Sequence, residues 1–243
     1  MRHTVAKAGR GRASRLRLWR ERHREAGLSV ILGLQVTIMF VVSPLGGTGL
    51  ISAEATQALR FGLAATAILI VNRSRLVSTL LAGTFLVSLI CSIFLRSGVA
   101  GHATSIANIG FTIAFDLAVA VAVAHAAFGP GRVTVHRIMG AVILYLYIGL
   151  IFASLFHLAV LTIFPSFKGL PATRGATFSA LLYFSLTTLT TSGFGDIVPV
   201  HPFARSLVNI EAVMGQLYPA TLLARLVTLH GKVAGGEDGA RTT

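Results

Sequence analysis

Tyr183-Phe184-Ser185-Leu186-Thr187-Thr188-Leu189-Thr190-Thr191-Ser192-Gly193-Phe194-Gly195-Asp196 is the stretch on which the reading of this chain turns. A short apolar helix ends in a threonine-rich turn and passes directly into Gly-aromatic-Gly-Asp. Alternating glycines permit backbone conformations that other residues rarely adopt, so successive carbonyl oxygens can point at one axis. A row of such oxygens can replace the hydration shell of a cation. Neutral carbonyls suit large, weakly hydrated monovalent ions. Threonine at the inner end adds hydroxyl oxygens, and the preceding helix directs the partial negative charge of its C-terminus toward the space below.

The flanks give this stretch its setting. Within Pro171–Pro202 the apolar part, Ala176–Leu189, is too short to cross a bilayer and is followed by Gly and Pro. It reads as a re-entrant loop, which membrane depth tolerates only where protein or water covers the backbone. A spanning helix needs about 20 mostly apolar residues. Six stretches meet or approach this: Leu28–Leu45, Ile51–Asn72, Leu76–Leu95, Thr104–Phe128, Ile138–Phe164 and Ser206–His230. The second is the weakest, because Glu54 and Arg60 interrupt its first half. The expected fold is an all-α membrane protein: six transmembrane helices, with a pore helix and filter between the fifth and sixth.

Composition agrees. The 243 residues are 54% hydrophobic and only 12% charged, with mean hydropathy +0.77. A soluble domain runs near 25% charged, so too little polar material remains to cover a globule. The formal net charge of +13 suggests nucleic acid until its distribution is followed. Residues 1–26 hold nine basic side chains against Glu21 and Glu25, a net +7. That concentration sets topology by the excess of Lys and Arg on the cytoplasmic side; both termini are expected inside, and no nucleic-acid partner is expected. The basic lead is long and Val41–Gly47 offers no small-x-small cleavage site, so the first helix is expected to be retained. Leu16, Trp19 and His23 recur at helical spacing among the arginines. Either a short helix lies there on anionic headgroups, or the tail only fixes topology.

The sequence Thr191-Ser192-Gly193-Phe194-Gly195-Asp196 resembles the filter signature of the tetrameric potassium channels, Thr-Val-Gly-Tyr-Gly-Asp. The likeness covers Ala176–Val227 and, more loosely, all six helices. By this resemblance Thr191, Ser192, Gly193, Phe194 and Gly195 coordinate K⁺ and Asp196 sits at the outer mouth; Thr187, Thr190 and Glu211 are candidates for filter support. Gly215 is similar to the family's inner-helix hinge, and Pro219 could bend the same helix. Ser192 stands where valine is usual and Phe194 where tyrosine is. Filter ligands are backbone carbonyls, so both changes leave the ligand atoms in place; altered rigidity is expected. One filter per chain cannot enclose an axis, so the resemblance implies a homotetramer with the pore on its symmetry axis. No cofactor is implied beyond K⁺ as the permeant ion.

The layout divides into a basic tail (1–27), a four-helix sensor-like domain (28–130), a pore domain (131–230) and a short tail (231–243). Voltage-gated relatives carry repeated Arg or Lys on the fourth helix, because charge must cross the field. His102–Phe128 has none, so steep voltage dependence is not expected. It has Asp116 instead. That carboxylate is either paired in the bundle, with Arg60 or Arg96, or serves as a proton-sensitive switch. Glu211, one turn before Gly215, is placed near Thr187 or Ser192, or is an ordinary satisfied polar group. His157 reads as a packed histidine, and Arg225 as an anchor to headgroups. The 18 residues after Arg225 hold no soluble sensing domain, so ligand control is expected through the membrane part, the tail or a separate protein.

Three competitors remain. A weakly selective cation channel follows if Ser192 loosens the filter. A secondary transporter calls for inverted repeats, and none is visible. A non-conducting channel subunit is the third. No nucleophile–base pair or metal cluster suggests an enzyme. Abundant Ala, Gly and Arg point to a bacterial source, hence an inner membrane.

Overall fold

The computed structural model describes residues 30–48, 50–51, 101–128, 135–172 and 174–239, with scattered positions between 55 and 90. Five helices order the described residues. These are α1 (Val30–Gly47), α2 (His102–Phe128), α3 (Val135–Thr162), α4 (Arg174–Leu189) and α5 (Pro202–Gly239). Two-residue strands β1 (Phe167–Lys168) and β2 (Val198–Pro199) pair antiparallel on either side of α4, with Phe167 opposite Pro199 and Lys168 opposite Val198.

Among the described residues, three helices are long and apolar enough to cross a membrane: Val30–Gly47, His102–His125 and Arg137–Thr162. They correspond to the first, fourth and fifth expected spans. The second and third, Ile51–Asn72 and Leu76–Leu95, fall largely outside the described residues, as do Arg60 and Arg96. The sixth lies within α5, which is long enough but less apolar, diluted by Asn209, Glu211 and Gln216. The fifth helix ends at Thr162, two residues short of the expected Phe164. Phe164 precedes Pro165, and a residue before proline is disfavoured in helical conformation.

Local chemistry explains where each helix bends or stops. Pro44 has no N–H to donate back along α1. The chain passes into it through a wide turn at Ile38–Val42, closed by the Ser43 N–H on the Ile38 carbonyl. Such widened turns relieve a helix that cannot keep its regular ladder. α5 begins with Pro202 in its first turn, where the absent N–H costs nothing.

α2 packs along α3, α3 along α4, and the end of α1 against α4. The core has two centres. In one, Ile31 and Ile38 of α1 meet Phe115 and Val123 of α2, Ile143 and Tyr147 of α3, and Leu182 of α4. The other joins Phe152 and Phe156 of α3, Phe167 of β1, Leu181 and Phe184 of α4, and Ala204 of α5. Phe156, Phe167 and Phe184 form a triangle of edge-to-face rings, with centroids 5.3–5.5 Å apart. This is the favourable aromatic geometry, and it fixes α4 at the angle from which the next segment departs.

Candidate functional site

The site is the segment from the last turn of α4 to β2. Its backbone alternates. Thr191, Gly193 and Gly195 have φ of +58°, +51° and +80°, and the intervening Ser192 and Phe194 have negative φ. Alternation of this kind turns successive peptide units the same way, and glycine accommodates it without penalty. Thr191 does not; a side chain in the left-handed region costs roughly 1–2 kcal/mol, and its neighbours must hold it there.

They do so from two sides. The Thr187 carbonyl accepts the N–H groups of Ser192 at 2.8 Å and Gly193 at 3.2 Å, and the Thr188 carbonyl accepts that of Thr191 at 2.9 Å. The first three amides of the loop are thereby spent on the end of α4. From α5, Gln216 Nε2 donates to Thr191 Oγ1 at 3.4 Å.

The base of the loop is pinned at Leu189. Its carbonyl accepts the Tyr145 hydroxyl at 2.9 Å and lies directly against Gly215, where a Cβ would collide with the Leu189 backbone. Tyr218 packs on Tyr145 with ring centroids 5.6 Å apart and donates to the Ala141 carbonyl at 2.7 Å. Gly215, expected as a hinge, is thus a point of closest approach between α5 and α4. α5 runs as an unbroken helix through both Gly215 and Pro219.

At the outer end, the strand pair clamps the chain after Asp196. Gly169 lies so close to Asp196 and Ile197 that a side chain there would meet their backbone. The Phe194 ring stacks on Tyr183 of α4, with centroids 6.2 Å apart and planes within 5°. The Asp196 carboxylate sits near enough to the Tyr183 hydroxyl to act on it. Ser192 Oγ lies 3.1 Å from Thr190 Oγ1, so the serine hydroxyl has a partner beside α4. Thr190 Oγ1 donates to the Leu186 carbonyl at 2.7 Å and Thr187 Oγ1 to the Phe184 carbonyl at 2.9 Å. Thr187 acts on the loop through its carbonyl, while its hydroxyl serves the helix.

Residues 190–196 are all exposed within the single chain; Phe194 keeps 72% of its surface. The segment is thus held in its backbone while the single chain leaves its surface uncovered, and it carries the backbone carbonyls of residues 191–195. Those carbonyls, from Thr191 to Gly195, are the groups here that could hold a cation.

The remaining predicted residues separate. Glu211 is fully buried, but its partner is neither Thr187 nor Ser192: Ser185, earlier on α4, lies 2.5 Å from Oε1. The Ser185 hydroxyl also lies 2.6 Å from the Gly149 carbonyl of α3. Asp116 is buried at mid-length of α2, away from the loop. Arg225, expected at headgroups, instead donates to the Phe128 carbonyl at 3.0 Å and lies 4.8 Å over the Phe128 ring. It caps α2, whose last carbonyls lack helical partners. His157 rests 6.0 Å from the Phe178 ring, as a packed histidine.

Sequence reasoning missed Tyr145, Gln216 and Ser185. Tyrosines inside apolar helices were the available signal, because a buried hydroxyl requires an acceptor.

Among the described residues, the fold is that of an α-helical membrane protein with a constrained, exposed loop at residues 190–196. Residues 140–230 match the family model described as "Ion channel", which spans α4, the loop and most of α3 and α5. This match supports an ion channel, and the apolar helices support a membrane location. No curated protein and no solved structure matches the chain.

Proposed function

We propose that the chain is the subunit of a homotetrameric, K⁺-selective channel that conducts passively and is not steeply voltage-gated. The observation that carries this reading is the alternating backbone of Thr191–Gly195 at the end of a half-helix between two long helices. Carbonyls presented this way suit a dehydrated monovalent cation. In this reading the carbonyls of Thr191, Ser192, Gly193, Phe194 and Gly195 line the ion path and Asp196 marks its outer mouth. Thr187, Thr190 and Glu211 support it, and Gly215 and Pro219 shape the inner helix.

A fourfold assembly is what this reading calls for. A single loop offers one wall, and α5 carries an exposed apolar row, Phe203, Ile210, Val213 and Leu217, that α3 and α4 leave uncovered. Apolar surface of that extent beside a bare loop suits burial against further copies. In this reading the chain has six spans with both termini on the cytoplasmic side of a bacterial inner membrane, and the basic tail either lies on anionic lipid or only fixes topology. Fourth-helix charges suited to voltage sensing are absent from the sequence of α2.

A weakly selective cation channel is the second reading. Ser192 puts a hydroxyl, paired with Thr190, where the signature has an apolar side chain.

Purified full-length protein in K⁺-loaded liposomes is expected to release K⁺ down its gradient, with native mass corresponding to four chains. Release no faster than from empty liposomes would overturn the channel reading.

A further inference from the structure

Ser185 Oγ sits between two oxygens, 2.6 Å from the Gly149 carbonyl and 2.5 Å from Glu211 Oε1. Both separations fall in the range that an intervening proton permits. A hydroxyl has one proton and can donate to only one neighbour. The Gly149 carbonyl is an acceptor and nothing else. If Glu211 were ionised it too would be only an acceptor, and one of the two contacts would bring lone pairs together without a proton. An ionised carboxylate with Ser185 as donor accounts for the 2.5 Å contact but leaves the 2.6 Å contact unexplained. A protonated carboxyl accounts for both.

Burial points the same way. Glu211 has no exposed surface, and among the described residues its second oxygen, Oε2, has no hydrogen-bond partner. Among the described residues no cation pairs with it. Tyr145, the titratable side chain that faces it from α3, directs its own proton to Leu189. A buried negative charge with one oxygen unpaired and no counter-ion among the described residues is a costly arrangement; a neutral acid avoids it.

We infer that Glu211 is a proton-bearing positioning residue. Its carboxyl donates to Ser185 Oγ, which donates to the Gly149 carbonyl, joining α5, α4 and α3 through two hydrogen bonds. Ser185 lies two residues before Thr187, whose carbonyl holds the amides of Ser192 and Gly193. The chain of bonds therefore sets the position of the half-helix from which the loop hangs. Only this consequence at the loop rests on the channel reading; the protonation does not.

Infrared spectroscopy of the full-length protein in detergent at neutral pH tests the inference. A protonated carboxyl has a C=O band well above that of a carboxylate. The band is expected in the wild type, lost in Glu211→Gln, and shifted in Ser185→Ala. The Glu211→Ala variant is expected to lose folded protein on heating about tenfold faster, and Glu211→Gln, which keeps a donor at that place, to restore the rate. If Glu211→Gln does not fold, the Ser185→Ala shift decides. A carboxylic-acid region identical in wild type and Glu211→Gln, or a band unmoved by Ser185→Ala, overturns the inference whether or not the protein conducts K⁺.

Discussion

Replacing Gly215 with alanine sets a methyl group against the backbone of Leu189. Its Cβ would lie 2.8 Å from the Leu189 carbonyl carbon and 3.0 Å from its Cα, with the carbonyl oxygen closer still. At an unhindered position within a helix the same change is stabilising by about 1 kcal/mol, because alanine is the better helix former. Here the obstruction is backbone, not the end of a flexible side chain, so α4 must move away from α5. Overpacking of this kind costs about 1–3 kcal/mol. The displaced carbonyl is also the acceptor for Tyr145 at 2.9 Å, and loss of that bond adds about 1 kcal/mol. Against the gain in propensity, the net expectation is a loss of about 1–3 kcal/mol. For a chain of this size that lowers Tm by roughly 2–12 °C. Thermal unfolding of wild type and Gly215→Ala in detergent, followed by circular dichroism, reads the difference. A glycine retained purely as a hinge predicts the opposite sign. An unchanged or raised Tm would refute the close-approach argument.

Three further substitutions probe other joints. Tyr145→Phe removes the hydroxyl that caps the Leu189 carbonyl; about 1 kcal/mol of stability is expected to go, read as a lower melting midpoint. Arg225→Ala removes both the hydrogen bond and the ring contact at Phe128. Losses at a helix C-terminus and of a cation–π contact sum to about 1–2 kcal/mol; Arg225→Lys is expected to recover part of this, and equal melting of all three proteins would contradict the capping role. Asp116→Asn should leave the pH response of the current unchanged, as a bundle-holding carboxylate requires; a displaced pH response would show Asp116 to be a switch.

The sequence exposed part of the plan because its signals were large: apolar runs, and glycines alternating beside threonines. The expected boundaries at Phe164 and Ser206 fell two and four residues from the observed Thr162 and Pro202, where the local backbone chemistry of Pro165 and Pro202 decides. What it hid depended on distance in space. Nothing near Gln216 in the chain announces Thr191, 25 positions away. The sequence leaves Glu211 either near Thr187 or Ser192 or an ordinary satisfied polar group, and helix rotation sets it against Ser185. Gly215 carried a familiar hinge meaning, while its packing against Leu189 depends on how α4 crosses α5. Arg225 looked like a headgroup anchor because the end of α2 lies remote from it in the chain. The left-handed Thr191 was likewise invisible, since a β-branched residue is a poor candidate for positive φ.

Current through the reconstituted full-length protein, with K⁺ on one side of the bilayer and Na⁺ on the other, bears most directly on the central claim. A filter of backbone carbonyls from Thr191 to Gly195 predicts a reversal potential displaced toward K⁺ by more than ~59 mV, the value for a tenfold preference of a monovalent ion. A reversal potential near zero would contradict it.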